Sequence, residues 1–355
     1  MILRILKTLT LTALLSLSAI FAHAQEEPKK FTLAWSIYVG WMPWYYINET
    51  GLMDKWAEKY GIEVELVQIN DYIEPINMYT AGRFDGATMT NMDLLTIPAA
   101  SGVDTTALIT GDYSNGNDAV VLKDRDSLED IKGLDVYLLE LSVSHYTLAR
   151  ALESVGLTER DINVINTSDA DIASAFNDPA VQASTLWNPQ LAEVMKHPKA
   201  NKVFDSTQIP GEILDIMAVR TETLEANPEL GKAVTGAWFE AMAIMNSDTP
   251  EGRAAKQMMA EASGTDLAGY QLQLDATELF YTPQQKLAFA TSEQLAETMS
   301  FVTEFSFRHG LLGDGAPSAD YIGIELPNGE IWGNENNVKM RFNNEFVEMA
   351  AEGKL

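Results

Sequence analysis

The chain has 355 residues, with 51 acidic against 24 basic side chains and a formal charge of −27. So acidic a surface repels nucleic acid and anionic lipid, which argues against both as partners. There is no cysteine, which excludes disulfides and thiolate metal sites and leaves the hydrophobic core to hold the fold.

The N-terminus predicts an export signal. Met1 to Lys7 is a short basic segment, Thr8 to Phe21 is apolar, and Ala22-His23-Ala24 fits a small-x-small cleavage site, so Gln25 should open the mature chain. The apolar run is too short for a comfortable membrane span, and no later segment is apolar enough for one. No cysteine follows the cleavage site, so no lipid anchor is expected, and the mature protein reads as soluble and periplasmic. Cleavage removes Arg4 and Lys7 and leaves 331 residues at −29. That length suffices for two domains with good cores.

Strand-like and helix-like runs alternate from Phe31 to Val219. Phe31 to Trp35 reads as a strand. Tyr45 to Tyr60 reads as helix with an interruption at Gly51, and Ile62 to Ile69 alternates with the period of a strand. Tyr72 to Ala81 is helical, Phe84 to Met89 is a strand, and Asn91 or Asp93 is placed to cap a helix running to Ala100. Thr106 to Thr110 and Ala119 to Leu122 are strands. After a short helix from Ser127 come strand Val136 to Leu139, helix Thr147 to Val155, strand Ile162 to Ile165 and helix Asp169 to Phe176. Strand Ala183 to Leu186, helix Pro189 to Lys196 and strand Ile213 to Val219 follow. From Thr221 to Phe307 the pattern is mostly helical. This order predicts an α/β fold with mainly parallel sheets. Two lobes with two chain crossings, near Asn117-Asp118 and near Arg220, account for it. Lobe one then takes 25–118 plus 219–355, and lobe two takes 119–218. Strand C-termini and helix N-termini of both lobes should line one ligand cleft.

Catalytic signatures are missing: there is no G-x-S-x-G, P-loop, H-E-x-x-H or G-x-G-x-x-G. Of four histidines, His23 leaves with the signal, His197 and His309 sit at helix ends, and His145 alone falls at the expected cleft. There Glu140-Leu141-Ser142-Val143-Ser144-His145-Tyr146 joins a buried strand to a helix. Ser142 or Ser144 can cap that helix, and its free N–H groups make an anion site. Glu140 at the mouth would repel an anion and favour a cation or hydrogen-bond donor; alternatively, it only satisfies the helix N-terminus. Aromatic residues crowd the segment after the first strand, Trp35-Ser36-Ile37-Tyr38-Val39-Gly40-Trp41-Met42-Pro43-Trp44-Tyr45-Tyr46. Tyr45 and Tyr46 read as a local apolar cluster. Tyr38, Trp41 and Trp44 read as a binding wall, since ring faces attract cations and flat polar solutes. Thr90-Asn91-Met92-Asp93, Asp112-Tyr113 and Trp187-Asn188-Pro189 also fall at strand ends. Asp215 lies inside an apolar strand, where a carboxylate is costly unless paired. Aromatic walls with Asp93, Glu140 and either Asp112 or Asp215 suit a small planar donor such as guanidinium or urea.

At these residues the chain resembles the substrate-binding proteins of ABC importers of the nitrate, sulfonate and taurine class. It is most similar to the branch associated with urea carboxylase and guanidine use. The matching stretches include WSIYVGWMPW (35–44), VQINDYIEPINMYTAGRFDGATMTNMDLLTIPAA (67–100), GDYSNGNDAVVL (111–122), ELSVSHYTLARALESVGL (140–157), NTSDADIASAF (166–176), WNPQL (187–191) and IPGEILDIMAV (209–219). RHGLLGDG (308–315) and NNVKMRF (336–342) extend the match over nearly all the mature chain. The resemblance implies a two-lobed periplasmic-binding-protein fold of type II, hinge closure on a ligand, and delivery to a membrane permease. It places Trp35, Ser36, Tyr38 and Trp41, Asn91 to Asp93, Glu140 with Ser142 and His145, Trp187 and Asp215 at the cleft. Asp112 joins them from the strand-end pattern. Sulfonate binders of this class present hydroxyls and bare helix N-termini, so Glu140 departs from an anion site. Fungal thiamine-precursor synthases share the broader fold, but their cysteine-rich motif is absent here. The expectation is a monomeric importer component without cofactor or metal, binding guanidinium first and urea second. An exported enzyme acting on such a compound is the alternative, and a sensor role is a third.

Overall fold

The computed structural model describes residues 28–290 and 293–355. The expected export signal and its cleavage site lie outside the described residues. None of the described helices is long and apolar enough to cross a membrane.

Two mixed sheets organise the chain. The first contains β1 (Lys29–Trp35), β2 (Ile62–Gln68), β3 (Gly86–Thr90), β4 (Thr105–Ser114), β10 (Leu214–Arg220), β11 (Thr277–Leu279), β12 (Gly323–Glu325), β13 (Ile331–Trp332) and β14 (Val338–Phe342). Its order is β13-β12-β14-β4-β10-β3-β1-β2, with β11 on the far end of the long β4. The second contains β5 (Asp118–Lys123), β6 (Asp135–Leu138), β7 (Asn163–Asn166), β8 (Ala183–Trp187) and β9 (Ala200–Asp205), in the order β7-β6-β8-β5-β9.

The local chemistry of the strands follows their position. In β2, Ile62, Val64 and Leu66 are buried while Glu63 and Glu65 face solvent, the alternation of a half-covered edge strand. Every residue of β3, β5 and β8 is buried, as expected of strands covered on both faces. The helical block after β10 packs back on the first sheet. Trp44 of the helix Met42–Glu49 meets Trp238 of the helix Pro228–Met245 with ring centroids 4.7 Å apart. Gly51, at a φ of 71°, separates Met42–Glu49 from Leu52–Lys59, where the sequence pattern interrupts.

The sheets are not mainly parallel: half of the described strand pairs are antiparallel. The reason is the way the chain passes between sheets. Only 115–117 separate β4 from β5, and 206–213 connect β9 back to β10, with no crossover helix of the kind a parallel pair needs. The outgoing and returning segments lie side by side, so β10 runs antiparallel to β4, and β9 to β5. Because β10 also pairs with β3, the chain is back in the first sheet by Leu214, before the return expected near Arg220.

Gly86 shows how tightly β3 is enclosed. A Cβ there would lie 2.5 Å from the Ala218 carbonyl oxygen on β10 and 2.8 Å from Leu33 Cδ2 on β1. Gly86→Ala is therefore expected to cost about 1–3 kcal/mol, the usual range for overpacking. It should appear as a lower urea midpoint with unchanged slope.

Candidate functional site

A small cavity lies where the two sheets face each other, and strand ends and loops supply its walls. The first sheet contributes Ser36, Ile37, Tyr38 and Trp41 after β1, Asn70 and Tyr72 after β2, Thr90 at the end of β3, and Ile213 and Asp215 at the start of β10. The second contributes Asp118 at the start of β5, Val143 and Asp169 at helix starts, and Trp187 at the end of β8. The cavity is small, about 20 Å³, which suits a solute of a few heavy atoms.

Four rings form a continuous aromatic wall. Trp41 stacks on Tyr72 with centroids 5.9 Å apart and planes 17° from parallel. Tyr38 meets the edge of Trp41 at 5.2 Å, and Trp187 closes on Tyr72 at 5.6 Å. The Tyr38 hydroxyl and the Trp41 indole N–H are buried, and neither has a hydrogen-bond partner among the described residues.

Buried carboxylates face this wall. Asp112 on β4 and Asp215 on β10 are directly opposite in the strand register, and Asp118 opens β5 a few residues on. They are 0%, 4% and 3% exposed, and among the described residues no lysine, arginine or histidine lines the cavity. Removal from water disfavours charge on each. It pushes Asp112 up to about 7, and Asp118 up to about 6 against a hydrogen bond from Ser114. Asp215 rises well above the ordinary carboxylate range through burial and then through its closeness to Asp112. Among the described residues no N–H or O–H donates to either Asp112 oxygen, and Asp215 Oδ2 is likewise without a donor. Asp112 lies beneath Gly40, where a Cβ would overlap Asp112 Oδ2 and come within 2.9 Å of Tyr38 Cε1.

Asp93 is fully buried one layer behind the wall. Its Oδ2 accepts from the Tyr72 hydroxyl and, at 2.8 Å, from Thr90 Oγ1. Burial raises this carboxyl to about 6 while those two bonds oppose the rise. Asp93 thus sets the positions of two cavity residues. Thr90 caps the helix Asn91–Leu94, a role the sequence pattern assigns to Asn91 or Asp93.

Of the residues singled out from sequence, Ser36, Tyr38, Trp41, Trp187 and Asp215 line the cavity, and Asp93 and Asp112 stand behind it. Five lie elsewhere. Trp35 is core, with its ring 6.4 Å from Tyr45. Asn91 ties down the approach to β10, donating to the Glu212 carbonyl and accepting from the Leu214 N–H, both at 3.0 Å. Ser142 caps the helix Val143–Ser154. Glu140 is exposed, and its N–H donates to Asn166 Oδ1 at 3.0 Å. The cause is Leu141, whose left-handed φ of 64° turns the chain so that Val143, not Glu140, faces the cavity. Asp118, Tyr72, Asn70, Thr90 and Asp169 are the residues the sequence reading missed. Asp118 carries a weaker form of the Asp215 signal, an acid just ahead of the apolar run Ala119 to Leu122.

His145 is turned away from the cavity toward Glu159 and His309. Its Nδ1 accepts from the Leu141 N–H at 3.1 Å, which puts the ring proton on Nε2, 2.7 Å from a Glu159 oxygen. A metal on Nε2 would need that proton moved to Nδ1, against the Leu141 N–H, so the trio does not fit a metal centre. At His309 both ring nitrogens face acceptors: Nδ1 the Phe305 carbonyl at 2.9 Å, and Nε2 the Glu159 carboxylate at 2.7 Å. Hydrogen bonding to Glu159 raises the His309 pKa. Burial opposes ionisation of Glu159, but its histidine partners outweigh this and hold it at about 2. The pair links the end of the helix Glu293–Arg308 to a turn beside the second sheet.

This is the two-sheet α/β fold of the periplasmic binding proteins, with a site at its interior boundary. The chain belongs to the NMT1/THI5-like family, whose model matches residues 53–252. It is 25% identical over 209 residues to the taurine-binding periplasmic protein of Escherichia coli strain K12. That match covers 56% of this chain and 63% of the relative. The periplasmic aliphatic sulphonate binding protein of Escherichia coli superposes with a TM-score of 0.66 at 17% identity, covering 81% of this chain and 94% of the other. The periplasmic nitrate-binding protein of Synechocystis PCC 6803 gives 0.63 at 12% identity, with 92% and 89% covered. These named relatives are binding proteins, not enzymes.

His309→Ala tests the imidazolium pair. A raised histidine pKa contributes stability fully below the ordinary value of 6.5, and loses it as pH rises through the raised value. The depressed Glu159 contributes fully above its ordinary 4.5 and loses it toward 2. The substitution should therefore cost about 1 kcal/mol near pH 5.5 and much less near pH 9, measured by urea unfolding at both.

Proposed function

We propose that the protein is the periplasmic solute-binding component of an ABC importer and that its cavity takes guanidinium. In this reading two lobes close on the solute, and the closed form docks as a monomer on a membrane permease. The lobes are built on the two sheets, with the first crossing at 115–117 and the return within 206–213. The family, the fold and the names of the relatives support the transport role.

One observation carries the choice of ligand: Asp118 and Asp215 line, and Asp112 stands buried just behind, a cavity that among the described residues no cationic side chain lines. Sulfonate and nitrate are anions, and either would meet uncompensated carboxylates here. A planar cation satisfies both features of the site. Its N–H groups can donate to the aspartate oxygens that lack donors, in charge-assisted bonds. Its faces can lie against Tyr38, Trp41, Tyr72 or Trp187, for about 0.5–2 kcal/mol per ring. The small volume favours guanidinium over substituted guanidines. Urea has the same shape and donors without the charge and is the second ligand.

Calorimetric titration of the ligand-stripped protein with guanidinium chloride, urea and taurine separates these. Guanidinium should bind one-to-one at about 10 µM or tighter, on the order of −7 kcal/mol, with taurine silent. Taurine binding without guanidinium binding would refute the cation pocket. Ammonia release from guanidine by the purified protein would make it an enzyme instead.

Asp118→Asn should weaken guanidinium at least about tenfold, or about 1.4 kcal/mol, and urea much less. Glu140→Gln, on the surface, should change neither. Equal losses for both ligands in the Asp118 variant would show that its charge does not select the ligand.

A further inference from the structure

The unpaired oxygens of Asp112 and Asp215 pose a question that ligand recognition alone does not answer. Before any solute arrives, these two buried side chains face each other across adjacent antiparallel strands. Neither Asp112 oxygen has a donor, nor does Asp215 Oδ2. Two bare carboxylates so placed repel each other with little solvent to screen them.

The groups that face them come from the neighbouring elements, and among the described residues none brings positive charge. Asp118 lies on β5 and the Tyr38 hydroxyl on the loop after β1; Tyr270, from the helix Leu267–Asp275, and Tyr281, beyond β11, are near Asp112. The tyrosines are neutral, and Asp118 adds negative charge. Asp93 is engaged by Tyr72 and Thr90. A proton held between the two carboxyls lowers the charge of the site.

We propose that Asp112 and Asp215 share one proton in the empty protein, and that a bound cation displaces it to solvent. The claim rests on the guanidinium reading above and extends it to the regulation of the same site. The exchange is one cation in and one proton out. The proton leaves the carboxyl for water or buffer, and no other bond is made or broken. Acidification then weakens capture, because proton and cation compete for the same oxygens. Burial raises both carboxyls, Asp112 to about 7, which puts the competition within reach of ordinary pH. Urea is neutral and need not expel the proton, so its binding should be nearly independent of pH.

The test is calorimetry on the whole mature protein at pH 6.5, with guanidinium chloride in two buffers of different ionisation enthalpy. Affinities are then measured at pH 5.5, 6.5 and 7.5. The expected result is release of close to one proton per guanidinium, with affinity falling about tenfold per unit of pH on the acid side. Urea should show neither effect. Asp112→Asn removes the shared proton while keeping shape, so guanidinium that still binds this variant should release far less than one proton. A merely structural role for Asp112 would leave the proton count unchanged. Guanidinium binding with no proton release and a flat pH profile in the unsubstituted protein would overturn the proposal and leave the functional reading standing. No guanidinium binding at any of the three pH values would overturn both.

Discussion

Asp112 and Asp215 meet because two strands that carry the chain between sheets must lie side by side. β4 leaves the first sheet, β10 returns to it, and their antiparallel register sets these carboxylates opposite one another at the boundary. Only three residues separate the end of β4 from the start of β5, so Asp118 enters from the other sheet at nearly the same place. The topology that creates two bodies therefore also concentrates three acids between them. The aromatic wall is arranged around that concentration, with Tyr38 held over Asp112 at Gly40 and Tyr72 held by Asp93.

Burying carboxylates opposes folding, since each loses its hydration. Elsewhere the protein compensates such groups with partners. Arg150 makes a two-pronged contact with Glu212, at 2.8 and 2.9 Å, and the Tyr146 hydroxyl donates to the same carboxylate. Glu159 has two histidines. Asp112 and Asp215 have no comparable partner. The contrast within one molecule separates ion pairs that hold elements together from carboxylates without such a partner, which on the proposed reading await a solute. Such local conflicts with good folding practice gather at functional sites.

The alternation of elements was legible because apolar runs such as those in β3, β5 and β8 are bounded by turn residues, and β2 keeps period two. Strand direction was not legible. Antiparallel pairing here follows from the double passage between sheets, which no window of sequence contains. Asp215 could be found because an acid inside an apolar strand stands out. Asp118 sits one residue outside the run Ala119 to Leu122 and passed as part of a crossing. Glu140 misled for a conformational reason: a strand-to-helix corner normally aims its last strand residue at the cleft, and the left-handed Leu141 cancels that. His145 followed it away from the site for the same reason, since the Leu141 N–H fixes its ring toward Glu159.

The family likeness and the site chemistry therefore answer different questions. A shared fold places strand ends around an interior boundary and leaves the charge of that boundary open. In this chain the start of the helix Val143–Ser154 presents the apolar Val143 to the cavity, while Ser142 spends its hydroxyl on the cap. The cap occupies the Ser144 N–H at that helix terminus, and the opposite wall is acidic. Both changes act in the same direction. The cation reading thus survives the removal of Glu140 from the site, because the charge it needs lies on β4, β5 and β10 rather than at the helix.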